Sequence, residues 1–190
     1  MRIAVTGGIG SGKSYVCKAL AARGIDVYDC DDAAKRLMHA SSDLKQRLTL
    51  LIGNDAYDAD GRLNKAVVAR FLLQSESNAT VLNATVHPAV ARDFLSSGKQ
   101  WMECAILFES GFDALVDVKV CVTASMETRL SRVMQRDGIT REKALEWMSR
   151  QMAQDDVASR CDYVIDNDGK ADIERQIDRL LDNIKQMNHN

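Results

Sequence analysis

Ile3-Ala4-Val5-Thr6-Gly7-Gly8-Ile9-Gly10-Ser11-Gly12-Lys13-Ser14 is a short apolar run that passes without a break into a glycine-rich stretch fitting GxxxxGK[ST]. Glycines at 7, 8, 10 and 12 open backbone regions closed to other residues, so consecutive N–H groups can turn inward around an anion. The segment from Lys13 to Ala22 reads as a helix, and its positive N-terminal end would face the same anion. Lys13 then supplies a mobile charge for β- and γ-phosphates, and the Ser14 hydroxyl an oxygen ligand for a bridging Mg²⁺. Strand, loop and helix together predict a nucleoside triphosphate site, against the alternative of a plain glycine-rich turn.

Working outward, apolar runs at Ile3–Thr6, Ile25–Tyr28, Trp101–Phe108, Val118–Val122 and Tyr163–Ile165 alternate with helical periodicity. This predicts an α/β fold, a five-stranded parallel sheet flanked by helices. In the last helix Ile173, Ile177, Leu180, Leu181, Ile184 and Met187 form one stripe at three- and four-residue steps, ready to lie against a sheet. Residues 32–100 and 124–160 break the alternation as helical insertions, leaving 1–31, 101–123 and 161–190 as the core. Pro88 should end one helix and start the next, since it lacks an N–H and restricts His87 before it.

A chain of 190 residues, 46% hydrophobic with net charge −2, is a globular protein with no basic surface for nucleic acid or an anionic membrane. Cys17, Cys30, Cys104, Cys121 and Cys161 are widely spaced without a CxxC pair, the pattern of free thiols in a reducing compartment. Met1 and Arg2 lead straight into a strand with no room for a cleavable signal, and no apolar stretch reaches membrane-spanning length. A cytoplasmic location is expected, as a monomer or small homo-oligomer.

Ligands of open parallel sheets gather beyond the carboxyl ends of the strands. There the sequence places Asp29 and Asp31, Glu109, Thr123 and Ser125, then Asn167, Asp168 and Gly169. If the chain stays extended past Tyr28, Asp29 and Asp31 project to one side near the phosphate loop, where a carboxylate could take a proton from an attacking hydroxyl. Helix N-capping is the equal alternative. Arg129, Arg132 and Arg136 share one helical face, either closing over a triphosphate or forming a solvated surface with Glu127 and Asp137. Thr140 should cap the next run, with Ala144, Leu145, Met148 and Met152 buried, making a hinged helical pair that excludes water as a lid. Glu109 could face Mg²⁺ or substrate, or serve in an ion pair; His87 alone reads as packing or capping; Asp60 and Asp168 precede glycines and read as turns.

Thr6–Ser14, Gly24–Asp31, Leu82-Asn83 with His87-Pro88, Leu107–Glu109, Arg132–Asp137 and Asp162–Gly169 together closely resemble the dephospho-CoA kinases. The resemblance implies a P-loop NTPase fold and transfer of the ATP γ-phosphate to the ribose 3′-hydroxyl of dephospho-CoA, giving CoA and ADP. It implies Asp31 as general base, with Lys13 and Arg136 as catalytic cations. Gly8, Ile9, Gly10, Ser11, Gly12, Lys13, Ser14, Tyr15, Arg132, Arg136, Asn167 and Gly169 would contact ATP, with Ser14 on Mg²⁺. Thr6, Asp29, Asp31, His87 and Glu109 would face the acceptor, residues 32–100 forming its helical binding insertion and 124–160 the lid. Tyr15 stands where the family usually has Thr, and Ala105-Ile106 where Pro-Leu is common.

Two other readings share features with this one. A P-loop kinase for nucleosides or nucleotides would use the same phosphate chemistry, differing only in the acceptor pocket. A GTP switch is suggested by Asp58–Gly61, which fits DxxG, but Asn64-Lys65-Ala66-Val67 lacks the final Asp of NKxD.

Overall fold

Five strands form: β1 (Ile3–Thr6), β2 (Val27–Asp29), β3 (Trp101–Glu103), β4 (Val118–Thr123) and β5 (Tyr163–Asp166). They come from a computed structural model that describes residues 1–187, the side chain of Glu76 excepted. The sheet order is β2-β3-β1-β4-β5, with β1 parallel to both β3 and β4, and β4 parallel to β5. Parallel neighbours need crossover connections, and helices supply them. These are α1 (Lys13–Ala22), α2 (Cys30–Ala40), α3 (Ser42–Ile52), α4 (Lys65–Gln74), α5 (Glu76–Ser96), α6 (Met126–Asp137), α7 (Arg141–Ser149), α8 (Gln154–Ser159) and α9 (Ile173–Met187).

The chain divides into two units, Met1–Tyr28 with Lys99–Asn190, and Asp29–Gly98. In the first, every residue of β1 is buried, as a central parallel strand requires. Val16 and Leu20 of α1 and Ile177, Leu180 and Ile184 of α9 join Ile3, Val5, Val118, Val120 and Ile165 in one core. Met187 ends the α9 stripe outside it, exposed, its sulfur 3.5 Å from the Tyr163 hydroxyl. Residues 124–160 belong to this unit too. Leu130 and Val133 of α6 pack with Ala144 and Met148 of α7, while Leu145 stays partly exposed and Met152 falls beyond the end of α7.

The second unit is helical, built on buried Ala33, Leu44, Leu48, Val86, Val90 and Phe94. Ser41 and Asn64 accept backbone N–H bonds at the starts of α3 and α4, so the helix starts are satisfied locally. Arg36 pairs with Asp93 at 2.5 Å, tying α2 to α5. Asp58–Gly61 is a turn, Gly61 N donating to Asp58 O and Arg62 N to Asp58 Oδ1.

Three expectations change. The run 101–108 is a strand only to Glu103; Cys104 N makes a last bond to Val5 O, after which the chain coils and Leu107 O accepts from Phe112 N. Strand β2 starts at Val27 and ends at Asp29, so Asp31 is helical, not extended. Pro88 does not divide a helix: α5 runs through it. Its missing N–H would have served Ala84 O, and both residues lie on the exposed side, where water can take that carbonyl. Val86, Val90 and Phe94, buried on the other side, hold the helix together across the lost bond.

An interior proline costs a helix about 3 kcal/mol, while its removal loosens the unfolded chain by under about 1 kcal/mol. Pro88→Ala is therefore expected to stabilise the protein by about 1–2 kcal/mol in urea unfolding. Destabilisation would mean that the proline ring itself is required for packing.

Candidate active site

The phosphate loop lies between β1 and α1, and its geometry follows from which way each carbonyl points. Gly12, at φ +92°, enters α1 in a left-handed conformation, and a Cβ there would sit 2.0 Å from Asn167 Nδ2. Only glycine satisfies both the dihedral and the space. Lys13 Nζ lies across the loop, 2.8 Å from Gly7 O and 3.3 Å from Gly8 O. At the start of α1, Ser14 Oγ donates to Glu103 Oε1 at 2.9 Å. Glu103 ends β3 directly beside Val5 of β1.

The outward carbonyls are held by residues far along the chain. Arg132 Nη1 reaches Ser11 O at 3.2 Å and Gly10 O at 3.4 Å, while its Nη2 meets Asn167 O at 2.8 Å. Asn167 is itself buried and donates Nδ2 to Ser11 O at 2.8 Å. Arg129, only 5% exposed, gives Nε to Ile9 O at 3.0 Å. Burial weakens its hold on its proton, with Cys121 and Asp155 opposing. The Thr6 and Ser11 hydroxyl oxygens are the buried side-chain polar atoms without a partner among the described residues.

Behind the loop the frame is polar. Asp168 Oδ1 accepts from Ser125 N at 2.9 Å, joining the end of β5 to the start of α6. Hydrogen bonds from Thr128 and Ser125 hold its pKa down to about 2. Gln154 pairs with both backbone groups of Ala124, and Glu109 accepts from Met152 N at 3.0 Å.

Of the expected nucleotide-side residues, the structure brings Gly8 to Ser14, Arg132 and Asn167 together. Arg136 instead pairs with Asp137, 2.7 Å away, which raises its pKa, and Gly169 is exposed, with open space where a Cβ would stand. Tyr15 is 56% exposed. The guanidinium row is thus neither one solvated face nor one clamp: two members grip the loop and the third pairs with its neighbour. Asp29, Asp31 and His87 lie in the second unit. There Asp29 caps α2, Oδ1 accepting from Asp31 N at 2.9 Å and Asp32 N at 3.0 Å, and Asp31 sits exposed in the first helical turn. Asp168, read as a turn residue, is the tie to α6.

Glu103, Arg129 in its present role and Gln151 escaped the sequence reading. Glu103 was findable by the strand-end rule, but the apolar run through Phe108 drew that rule on to Glu109. Gln151, whose Oε1 accepts from Ile9 N at 2.8 Å, sits between α7 and α8 where no periodicity marks it.

A dephospho-CoA kinase family model, CoaE, matches residues 1–173. The chain belongs to the dephospho-CoA kinase family. A curated member from Bacteroides fragilis is 34% identical over 192 residues, spanning 95% of this chain and 91% of the relative. The structure of TT1252 from Thermus thermophilus superposes with TM-score 0.79 at 30% identity, covering 98% of this chain and 97% of that one. Shikimate kinase from Acinetobacter baumannii, 16% identical with TM-score 0.56 over 98% and 93% of the two chains, shares the P-loop kinase fold.

Gly12→Ala is expected to lower both the melting temperature and nucleotide affinity, the latter by more than about tenfold, because strain and the Asn167 clash fall on the loop itself. Unchanged nucleotide titrations would show that the loop relaxes. Burial also holds the His87 imidazole below its ordinary value of 6.5. The unfolded chain then binds that proton more readily, so stability is full above pH 6.5 and declines as pH falls through 6.5 toward the lowered value. Melting at pH 5.5 should precede melting at pH 7.5, and His87→Gln should narrow the difference.

Proposed function

We propose that this member of the dephospho-CoA kinase family transfers the ATP γ-phosphate to the ribose 3′-hydroxyl of dephospho-CoA, in the cytoplasm. The observation that carries the nucleotide half is the framed loop: Lys13 lies across it, and Arg132 and Asn167 fix its outer carbonyls. Such a loop stabilises charge on a transferring phosphoryl group by position alone, which is what this reaction asks of a protein. Gly8, Ile9, Gly10, Ser11, Gly12, Lys13, Ser14 and Tyr15 line the nucleotide side together with Arg132, and Asn167 and Gly169 border the adenine. Arg136 would exchange Asp137 for phosphate.

Ser14 Oγ and Glu103 offer hard oxygen donors 2.9 Å apart at the start of α1, a set that suits Mg²⁺. When bound there, held by Ser14 and Glu103, the ion would supply positive charge that offsets the negative charge of the phosphates. Among the described residues no group of three acidic, His or Cys side chains stands together, so Ser14 and Glu103 are the side chains this reading gives the ion.

Asp31 is the base in this reading and Asp29 orients it. A carboxylate capping a helix has its lone pairs committed to N–H groups, whereas Asp31 has its backbone N–H tied to Asp29 and its own carboxylate exposed. Thr6, His87 and Glu109 complete the acceptor side, and residues 124–160 serve as the lid. Five free cysteines and the absence of any helix long and apolar enough to cross a membrane, among the described residues, support the assigned location.

Asp31→Asn is expected to leave ATP binding intact and reduce turnover about 10²–10⁴-fold. Near-normal turnover in a coupled ADP-release assay would make Asp31 a helix residue only. Lys13→Ala should weaken nucleotide binding and transfer together. The same assay across dephospho-CoA, nucleosides and nucleoside monophosphates tests the acceptor; turnover confined to the latter two would overturn dephospho-CoA.

A further inference from the structure

Ile9 is the crest of the phosphate loop, and three separate holds converge on it. Its N–H goes to Gln151 Oε1 at 2.8 Å and its carbonyl to Arg129 Nε at 3.0 Å. Its side chain packs against Leu130, Val133, Ala144 and Met148, where α6 meets α7. The neighbours fit as closely: a Cβ on Gly8 would lie 2.3 Å from Arg129 Nη2, and one on Gly10 2.5 Å from Arg129 O. Three successive loop residues therefore rest on one buried arginine.

That arginine is costly where it stands. Only 5% of it is exposed, and no ion pair involves it among the described residues. Burial disfavours its charge by more than Cys121 and Asp155 support it, so a further negative charge at this point is stabilising. Gln151 is equally hard to explain as ordinary packing, since within the connection between α7 and α8 its side-chain oxygen accepts the N–H of a residue 142 positions away.

We infer that Arg129 and Gln151 are positioning residues for the nucleotide, acting through Ile9. By taking both backbone groups of Ile9, they hold the crest so that the following amides, from Gly10 onward, stay aimed at the phosphates. Arg129 also adds positive charge behind Gly8 that the nucleotide's phosphates neutralise. The Ile9 N–H is spent on Gln151, so Ile9 serves the nucleotide by its place in the loop and not as a donor. The root of the 124–160 segment is thus part of the phosphate site, whatever its far end does. This rests on the loop holding nucleotide phosphates, as proposed above.

The test compares wild type with Gln151→Met, which keeps the shape and removes the acceptor, and Arg129→Met, which removes both bond and charge. ADP affinity by calorimetry, KM for ATP, KM for dephospho-CoA and the melting temperature without nucleotide are measured for each. The expected result for Gln151→Met is about a tenfold loss in ADP affinity and a matching rise in KM for ATP, the size of one net hydrogen bond. KM for dephospho-CoA should stay put, and the nucleotide-free melting temperature should fall by less than the loss in ADP affinity would require if packing alone were its cause. Arg129→Met should lose more ADP affinity than Gln151→Met, with a weaker dependence of binding on salt. ADP affinity within twofold of wild type in both variants overturns the inference. So does a loss that only parallels a fall in the nucleotide-free melting temperature, because packing would then account for it. If wild type binds ADP but leaves dephospho-CoA unphosphorylated, the acceptor assignment fails while the calorimetric comparison still decides this one.

Discussion

A loop that turns its amides toward an anion must turn its carbonyls the other way, and a carbonyl directed into protein needs a donor. That constraint organises the first unit. Lys13 of the loop itself serves Gly7 and Gly8, and the remaining donors come from α6 and from the end of β5: Arg129 for Ile9, Arg132 for Gly10 and Ser11, Asn167 for Ser11 again. The strand order places these partners correctly, because β4 and β5 run parallel beside β1 and end at the same edge. Fold and site are therefore one requirement seen at two scales.

The parts of this arrangement that were legible in the sequence are those set by short-range pattern. The motif from Gly7 to Ser14, the β-branched strands and the α9 stripe each carry a period or a residue type that one conformation demands. The Thr140 cap is readable for the same reason, since its partner, Lys143 N, lies three residues on. What the pattern misread are places where tertiary contact overruled it. Residues 104–108 look like strand because they are apolar, yet they coil, with Leu107 buried and its carbonyl shared among turn donors. Pro88 looks like a boundary, yet packing on one side and water on the other carry the helix through.

The phosphate loop, with Arg132 and Asn167 beside it, was legible as a set of neighbours and illegible as a set of partnerships. Spacing puts Arg129, Arg132 and Arg136 on one face but says nothing of what lies opposite. Burial separates them: Arg129 is enclosed, Arg132 bridges two loops, and Arg136 stays at the surface with Asp137. Glu103 was hidden by a misplaced strand end, and Gln151 by lying in a connection. Of the two acids that could cap this helix, Asp29 is the one that does, as its Oδ1 takes both amides of the next helical turn.

Asp168 has a consequence for how the enzyme would answer to acidity. A carboxylate held down to about 2 keeps its charge far below the range in which assays run, so its link to Ser125 does not slacken as protons are added. The joint between the end of β5 and the start of α6 is in effect proton-blind. A pH–rate curve for this protein therefore reads the ionisation of its reactants and of groups elsewhere, with this corner of the scaffold contributing a flat baseline.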